Sequence, residues 1–429
     1  MRYTPLPASF HQKARKNLYR LLKPNSMVIL QSNDVLPTNA DGHMAFRQNN
    51  ELLYLSGIDQ EETILILFPD APLPEFREIL FVRETSDLIR IWEGYKLTKE
   101  QATEQSGIQN IRWNSEFQGM LQALFNLAEH IYLSGNEHPR AVVETQTRND
   151  RLIRDLMTRF PLHRYERLAP LMENIRAVKL EEEIVQIRKA IDITRQGFLS
   201  VLKTMKPGMK EYEVEAEFAY QFIKNASRGF AYGPIVASGS NANILHYTDN
   251  YRPCQDGDLL LLDVGAEYGN YNADMTRCIP VNGKFSPRQR QVYDAVLRIM
   301  REASGLLRPG ITLVEYEKKV GKMMERELIG LGLLKAEEVA AQNPEKPLYK
   351  KYFMHGTSHH LGLDVHDLGS KYRFLEAGMV FTCEPGIYIP EEGLGIRLEN
   401  NFLVTDSDPI DLMASIPVEA DEIENLMKK

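Results

Sequence analysis

The chain has 429 residues, 43% of them apolar and 26% charged, a composition typical of a folded enzyme and not of a disordered or fibrous protein. The formal net charge of −8 argues against a nucleic-acid or anionic-membrane surface, because both require clustered lysine and arginine. The length exceeds one ordinary hydrophobic core, so two domains are expected. Apolar stretches have the length of strands, and we therefore expect no membrane span and no membrane partner.

The three cysteines, Cys254, Cys278 and Cys383, are scattered and form no C-x-x-C pair. An odd number of cysteines offers no complete disulfide framework. Reduced thiols of this kind are typical of the cytosol, so a cytoplasmic protein is expected.

The first third of the chain alternates helical and strand patterns. Helices are predicted over 8–23 and 148–160 because their apolar residues recur at helical spacing. Short runs rich in isoleucine and leucine predict strands at 26–31, 50–56, 63–68, 78–82 and 130–134. This alternation predicts an α/β domain whose sheet is covered on both faces.

A second domain is predicted from residue 173 onward. The break at Leu168-Ala169-Pro170 precedes a long charged amphipathic stretch, which places the boundary so that the domains are 1–172 and 173–429. Two segments then share one order, in which a helix pair precedes strands. The first has helices at 181–204 and 211–226 and strands at 233–238, 258–267 and 271–281; the second has helices at 287–307 and 313–328 and strands at 379–388 and 394–405. The overall fold class is therefore α+β, with two similar α-β halves in the second domain.

A pair of aspartates is predicted on the first hairpin of this domain. The apolar run Leu259–Leu262 leads into Asp263, a Gly269-Asn270 turn signal follows, and the next strand contains Asp274. With the hairpin centred between residues 268 and 269, Asp263 and Asp274 face each other with Cβ atoms about 4.5–5.5 Å apart. Such close carboxylates repel unless a proton or a cation lies between them.

A second carboxylate pair is predicted near the C-terminus. Glu384 and Glu399 are symmetric about the turn at Pro390–Gly393, although Pro385 or a bulge could shift the register by one. Isolated acids on strands are usually solvated, but two symmetric pairs in apolar strands favour a four-carboxylate site for divalent cations.

Four of the ten histidines lie within one glycine-rich stretch, His355, His359, His360 and His366. One imidazole added to four carboxylates suits a dinuclear Mn, Co, Zn or Fe centre better than Ca or Mg. Spacing alone does not decide which of the four binds metal. A further histidine, His246, follows the predicted strand 233–238 and carries little weight by itself.

Over about 175–429 these motifs resemble the pita-bread metallopeptidases, which include methionine aminopeptidase, prolidase and aminopeptidase P. The matching positions are the aspartate before a glycine, the aspartate before Met-Thr-Arg, the second histidine of H-G-x-x-H, and the glutamates of E-P-G and I-R-x-E-N. The resemblance implies a pita-bread fold with pseudo-twofold halves and a metal-ligand set of Asp263, Asp274, His359, Glu384 and Glu399. The H-G-x-S-H-x-L-G-x-D-V-H-D form resembles the prolidase and aminopeptidase P branch, and the segment 46–57 resembles the amino-terminal domain of aminopeptidase P. His360 departs from this pattern, because bacterial aminopeptidases P commonly have an aromatic residue there.

The resemblance also implies roles for residues around the metals. Two divalent ions are expected, with Mn²⁺ as the first expectation and Co²⁺, Zn²⁺ or Fe²⁺ as alternatives, and such a pair lowers the pKa of a water between them. Glu384 would move the proton to the leaving amine, while the remaining side chains would bind substrate or orient the carboxylates. These are His246, His355, His366 and Arg397, with Tyr232 as a further candidate beside the carboxylates.

The activity implied is removal of the first residue from peptides with proline second. The alternatives are a prolidase, restricted to Xaa-Pro dipeptides, a non-catalytic binding module of the same fold, and a creatinase-type amidinohydrolase; the last two are disfavoured because the complete ligand set is present. Trp92 resembles a family position where one subunit approaches the active site of another, so a homodimer or homotetramer is expected, although a lone tryptophan more often only packs.

Overall fold

The structure is a computed structural model, which describes residues 2–138, 140–141 and 144–428. These residues divide into two compact units, one of residues 5–176 and the other of residues 2–4 with 177–428. The sequence places the boundary at 172/173, which lies inside a helix that ends at Ala177. Residues before position 5 join the second unit because the Thr4 amide donates to the Tyr268 hydroxyl at 3.2 Å.

The first unit is built on one mixed six-stranded sheet. Its strands and helices are α1 Ala8–Tyr19, β1 Ser26–Gln31, α2 Asn50–Ser56, β2 Ile64–Leu67, β3 Glu78–Val82, α3 Asp87–Glu93, α4 Lys99–Ser106, β4 Asn110–Trp113, α5 Phe117–Phe125, β5 His130–Leu133, α6 Arg148–Arg159, β6 Arg164–Arg167 and α7 Ala169–Ala177. The strand order is β4-β3-β2-β1-β5-β6, with β1 antiparallel to β2 and parallel to β5. Every residue of β1 and β2 is buried, as the continuous apolar runs predict.

The strand predicted at 50–56 is wrong, because this segment is helix α2. The Asn49 side chain accepts a hydrogen bond from the Leu52 amide at 3.0 Å and so caps the helix. Gly57 ends it with a φ of 74°, a left-handed conformation that glycine adopts without strain. A short apolar run does not by itself distinguish a buried strand from a buried helix, and here the caps decide.

The second unit repeats one arrangement of helices and antiparallel strands. Its elements are α8 Glu181–Thr204, α9 Glu211–Lys224, β7 Ile235–Ser238, β8 Leu259–Val264, β9 Glu267–Tyr268, β10 Tyr271–Asn272, β11 Met275–Pro280, α10 Pro287–Ser304, α11 Leu313–Gly330, α12 Ala336–Ala340, β12 Val380–Cys383, β13 Gly386–Ile389, β14 Leu394–Arg397, β15 Asn400–Leu403, β16 Ile410–Asp411 and α13 Ala420–Met427. Helix α8 packs on α9, and α10 packs on α11. This confirms the predicted order of a helix pair followed by strands in each half.

The strands of the second unit form short antiparallel sheets. The orders are β11-β8-β7 in the first half and β12-β15-β16 in the second, with separate ribbons β9-β10 and β13-β14. An isolated bridge between Thr276 and Glu399 joins the two halves. No helix in the described part of the chain has the length and apolar character needed to cross a bilayer.

Candidate metal centre

The first hairpin has a different register from the predicted one. Strand β8 pairs with β11 so that Asp263 lies opposite Thr276, not opposite Asp274. The turn residues Gly269 and Asn270 have φ values of 60° and 68°, and a two-residue turn with positive φ at both positions centres the hairpin between them. The pairing therefore shifts by two positions. A shift of two keeps every side chain on its face, so Asp263 and Asp274 remain on the same side.

Gly265 allows the two strands to approach closely beside these aspartates. A Cβ atom at this position would lie 1.8 Å from the carbonyl oxygen of Ala273, which no side chain could tolerate. The glycine that follows the apolar strand in sequence is thus required by the backbone of the hairpin.

Tyr232 joins the two aspartates. Its hydroxyl lies 2.6 Å from Oδ1 of Asp263 and 2.6 Å from Oδ1 of Asp274. A hydroxyl has one proton, so it donates to one of these carboxylates at a time and leaves the other short contact without a proton of its own. Burial and the charges of Asp263 and Asp274 raise the pKa of Tyr232 well above its usual value, so the tyrosine stays protonated.

The second hairpin has the predicted register. Cys383 pairs with Asn400 and Gly386 pairs with Arg397, so Glu384 and Glu399 occupy matching positions between these pairs. Pro385 interrupts the ladder without shifting it, because its carbonyl accepts a hydrogen bond from the Leu398 amide at 3.2 Å. The prediction that these glutamates are cross-strand counterparts is confirmed.

His359 brings an imidazole to the carboxylates. Its Nε2 lies 3.4 Å from Oδ2 of Asp274 and 3.6 Å from Oε1 of Glu384. Its Nδ1 lies 2.9 Å from the carbonyl oxygen of His360. Since a carbonyl only accepts, Nδ1 holds a hydrogen and Nε2 is the ring nitrogen that faces the carboxylates, the orientation that a metal-binding histidine needs. Burial lowers the pKa of His359, but the hydrogen bond to Asp274 and the charge of Glu384 outweigh burial and raise the pKa above its usual value.

Asp274, His359 and Glu399 form the metal-ligand cluster of the described part of the chain. One ligand atom from each lies within 4.8 Å of the others. Oε2 of Glu399 accepts a hydrogen bond from the Thr276 hydroxyl at 2.7 Å, while its Oε1 is buried without a hydrogen-bond partner. A buried carboxylate oxygen without a partner is costly, and a cation would satisfy it.

The electrostatics of the cluster also favour a cation. Burial, and then the charges of Asp274, Glu384 and Asp263, raise the pKa of Glu399 well above its usual value. Burial raises the pKa of Glu384 to about 7, against the opposing effects of His359 and Arg397. The donor set of carboxylate oxygens and one imidazole nitrogen suits Mn²⁺, Co²⁺, Zn²⁺ or Fe²⁺, so the residues present fit a divalent-metal centre.

Arg397 is the cation that the protein itself supplies to this cluster. Its guanidinium donates to Oδ2 of Asp263 at 2.5 Å, to the Tyr388 hydroxyl at 2.7 Å and to the Thr276 hydroxyl at 3.2 Å. The structure therefore places Arg397 beside the carboxylates and holds Asp263 through it.

His355 lies at the edge of the cluster beside Tyr388. Its Nε2 is 2.8 Å from the Tyr388 hydroxyl, and its Nδ1 is 2.7 Å from the Gly356 carbonyl and 3.7 Å from Oε2 of Glu384. Burial, reinforced by Arg397, lowers the pKa of His355 to about 3, so the ring is neutral. Sequence reasoning missed Tyr388, although its alternation with Gly386 on β13 could have placed it on the Arg397 side.

The remaining histidines divide between the site and the core. The ring of His366 meets that of His359 edge to face at 4.4 Å, and His246 is exposed, on the loop after β7, where its charge lowers the pKa of His355. His360 is different, because its ring packs against Phe381 at 4.3 Å and is buried. His360 thus bonds His359 with its backbone and contributes its side chain to the core.

Two further polar residues that sequence reasoning missed support the ligands. Asn401 donates to the Asp274 carbonyl at 2.6 Å and accepts from the Asp274 amide at 3.2 Å. Thr276 accepts from Arg397 and donates to Glu399. Thr276 belongs to the Met-Thr-Arg motif and Asn401 follows the I-R-x-E-N motif, but no local pattern predicts their contacts, because these cross from one hairpin to the other.

The chain is similar to known proteins over most of its length. Residues 185–406 match the family described as Metallopeptidase family M24, and residues 11–142 match the family described as Aminopeptidase P, N-terminal domain. The chain is 35% identical over 434 residues to a Xaa-Pro aminopeptidase of Haemophilus influenzae, with 98% of each chain covered.

Solved structures agree over the whole length. The Pseudomonas aeruginosa aminopeptidase PepP has a TM-score of 0.90 at 31% identity, covering 99% of this chain and 98% of that one. An Escherichia coli aminopeptidase P variant in complex with substrate has a TM-score of 0.88 at 33% identity, covering 99% of each.

Proposed function

Because the chain belongs to metallopeptidase family M24, we propose that it is a metal-dependent aminopeptidase that removes the first residue from peptides with proline in the second position. The observation that carries the proposal is the buried cluster of Asp274, His359 and Glu399, in which one carboxylate oxygen has no hydrogen-bond partner. The full-length similarity to Xaa-Pro aminopeptidases supports the choice of substrate.

Two divalent ions would be held by Asp263, Asp274, His359, Glu384 and Glu399. Bound ions of this kind lower the pKa of a coordinated water to near neutrality and polarise the scissile carbonyl. Mn²⁺ is our first choice, and a zinc-substituted Escherichia coli aminopeptidase P in complex with product illustrates that a relative accepts another metal. Metal analysis of the purified protein, followed by activity after reconstitution with Mn²⁺, Co²⁺, Zn²⁺ or Fe²⁺, tests this choice.

Glu384 would move a proton during hydrolysis. It lies within the cluster, 3.6 Å from Nε2 of His359, and its other oxygen is 3.7 Å from Nδ1 of His355. Transfer to the leaving amine requires a group within about one hydrogen bond of both water and substrate. Replacement by glutamine keeps the size and removes the proton acceptor, so turnover should fall far more than substrate affinity.

The histidines would act on substrate. His355 is held neutral by burial, and its Nε2 shares a hydrogen bond with Tyr388, which in turn is bonded to Arg397. His246 and His366 are exposed and so are accessible to a peptide. Donors aimed at the developing negative charge of the intermediate would stabilise it.

A prolidase is the competing activity, and peptide length distinguishes the two. A strict dipeptidase closes the space beyond proline, whereas an aminopeptidase leaves it open. Hydrolysis of Arg-Pro-Pro with release of arginine supports the proposal, and hydrolysis of Xaa-Pro dipeptides alone would contradict it.

We also propose a homodimer or homotetramer, formed through helix α3. Its side chains Leu88, Ile91 and Trp92, with Tyr95 just after it, are 65%, 77%, 80% and 91% exposed, and exposed apolar clusters of this kind mark association surfaces. Analytical ultracentrifugation of the protein and of Trp92→Ala tests this. The unmodified protein should sediment as a dimer or tetramer, and the variant should dissociate more readily. A cytoplasmic location stays a prediction of the sequence and is tested by cell fractionation.

A further inference from the structure

Helix α9 presents a buried carboxylate to the loop that contains His246. Glu211 is fully buried, and it accepts hydrogen bonds from the amide and hydroxyl of Ser238, both at 2.7 Å, from the Tyr247 hydroxyl at 2.7 Å, from the Arg252 amide at 2.9 Å and from Asn241 at 3.3 Å. These donors come from the beginning, middle and end of the loop after β7. One side chain therefore binds the loop at several points along its length.

His246 lies within that loop, next to Tyr247, which Glu211 holds. Residues 244–254 contain no helix or strand in the structure, so side-chain hydrogen bonds such as these hold their conformation together with backbone contacts at residues 252–254. A second pair of contacts has the same effect: Asn250 accepts from the Val236 amide at 3.0 Å and donates to Glu215, one helical turn after Glu211, at 2.8 Å.

Helix α11, the second helix of the other half, presents a corresponding carboxylate. Glu317 accepts from the Thr357 amide at 2.6 Å and from the Thr357 hydroxyl at 3.1 Å. Thr357 lies between His355 and His359, and its carbonyl accepts from the Glu384 amide at 2.8 Å. Glu317 is thus connected through Thr357 to the segment that contains His355 and His359, and through the Thr357 carbonyl to the backbone of Glu384.

The two arrangements share their chemistry as well as their place. In each half, a glutamate near the start of the second helix binds both the amide and the hydroxyl of one Ser or Thr, which belongs to or adjoins a histidine-bearing loop. Hydrogen bonds to a carboxylate are charge-assisted and stronger than neutral ones. Neither glutamate has a ligand atom in the metal cluster.

We propose that Glu211 and Glu317 are paired positioning residues, with Glu211 setting the substrate-binding histidine His246 and Glu317 setting the metal-binding segment around His359. The proposal rests on the proposed aminopeptidase function. Its two parts have different signatures: loss of Glu211 impairs hydrolysis and leaves metal binding intact, whereas loss of Glu317 weakens metal binding itself.

A double-mutant cycle with His246 tests the part of the proposal that concerns Glu211. Glu211→Gln keeps the size of the side chain but replaces one carboxylate oxygen by an NH2 group. When this group takes the place of the oxygen that accepts from the Arg252 backbone amide, two donors face each other and the hydrogen bond is lost. We expect kcat/KM for Arg-Pro-Pro to fall on the order of 10- to 100-fold, the range expected for a displaced catalytic group, with unchanged Mn²⁺ affinity. In a His246→Ala background the same substitution should cost less than about threefold, because the group through which it acts is absent. Equal losses in both backgrounds would overturn the proposal for Glu211.

Two milder substitutions guard against loss of folding. Ser238→Ala and Thr357→Val each remove the hydroxyl that binds the glutamate, without changing the charge of the protein. Ser238→Ala also removes a hydrogen bond from the Arg252 guanidinium, 3.1 Å away. Each should reproduce the direction of the effect of its own glutamate. If Thr357→Val leaves Mn²⁺ affinity unchanged while Glu317→Gln lowers it, the effect of Glu317 is one of charge alone and the positioning role is wrong.

Mn²⁺ titration tests the part of the proposal that concerns Glu317, and this measurement does not depend on activity. Glu317→Gln should weaken Mn²⁺ binding at least about tenfold, and Glu211→Gln should not. The matched control is Glu325→Gln, a buried glutamate on the same helix whose partners Lys322 and Gln342 lie outside the site, and it should alter neither measurement. If the unmodified protein hydrolyses no Xaa-Pro peptide, the proposed function fails, while the Mn²⁺ titration still tests the positioning role of Glu317.

Discussion

Buried charges in the two units of the protein have different surroundings. In the first unit, the buried Arg15 meets Glu78 through two hydrogen bonds of 3.0 and 3.1 Å, and the buried Arg176 meets Glu51 at 2.9 Å. In the second unit, four carboxylates gather around one arginine and one imidazole. Paired opposite charges compensate each other, as Lys179 and Asp367 also do in the second unit at 2.7 Å. The like charges of the carboxylate cluster repel one another and favour added cations.

The largest effect is expected from Asp274→Ala. Asp274 contributes to the metal cluster and accepts from Tyr232, so its loss should remove metal and lower kcat/KM more than about 1,000-fold, typical of an essential catalytic group. Metal content per chain and hydrolysis of Arg-Pro-Pro are the measurements. Chelation of the unmodified protein should give the same loss, reversed by Mn²⁺, and activity that survives Asp274→Ala would contradict the proposed centre.

Two Glu→Gln substitutions, one in each unit, test this difference in the surroundings of buried charges. Glu78→Gln removes the negative charge that Arg15 meets and leaves it only hydrogen bonds to neutral groups such as the Leu55 and Ser106 carbonyls, so the free energy of unfolding should fall by about 3 kcal/mol. Glu399→Gln removes a like charge and should raise the stability of the metal-free protein, while weakening metal binding. Chemical denaturation in the presence of chelator measures both, and a decrease for Glu399→Gln would break the comparison.

Arg397→Lys probes the single cation inside the cluster. Lysine keeps the charge but cannot donate to Asp263, Tyr388 and Thr276 together, because it lacks the planar fork of arginine. We expect kcat/KM to fall on the order of 100-fold with metal still bound. Metal content measured in parallel separates lost orientation from lost metal, and wild-type activity in this variant would assign Arg397 a purely structural role.

The smallest effect concerns pH and the first unit. Burial lowers the pKa of His11 from 6.5 to about 4, and its Nδ1 donates to the Tyr54 carbonyl at 2.9 Å. The unfolded chain binds a proton at higher pH than the folded one, so stability is complete above pH 6.5 and falls as the pH drops toward 4. This amounts to about 2 kcal/mol between pH 7 and pH 5.

His11→Gln is the matched variant for this prediction. It keeps a polar side chain and removes the titration, so its stability between pH 7 and pH 5 should change less than that of the unmodified protein. Denaturation at each pH gives the difference. Parallel curves for the two proteins would show that His11 does not contribute to the pH dependence.

The sequence predicts the second hairpin better than the first, for a local reason. The turn Pro390–Gly393 leaves the ladder symmetric, so the counterparts Glu384 and Glu399 follow from counting. In the first hairpin the turn is Gly269-Asn270, and its centre depends on both residues adopting positive φ. Counting from the wrong centre displaced the partner of Asp263 by two residues, yet the period of two kept both aspartates on one face.

What the sequence alone determined is the order of the elements that it predicts, apart from α2, and the presence of a carboxylate pair on each of two hairpins, because both follow from the period of apolar residues and from turn residues. Elements such as α4, β4, α5 and β6 lie outside these predictions. Only the tertiary structure decided which side chains complete the centre. Thr276 donates to Glu399, Tyr388 accepts from Arg397 and Asn401 bonds the backbone of Asp274. The contact of His360 with Phe381 separates His360 from its neighbour His359. Such contacts join residues distant along the chain, and no local pattern specifies them.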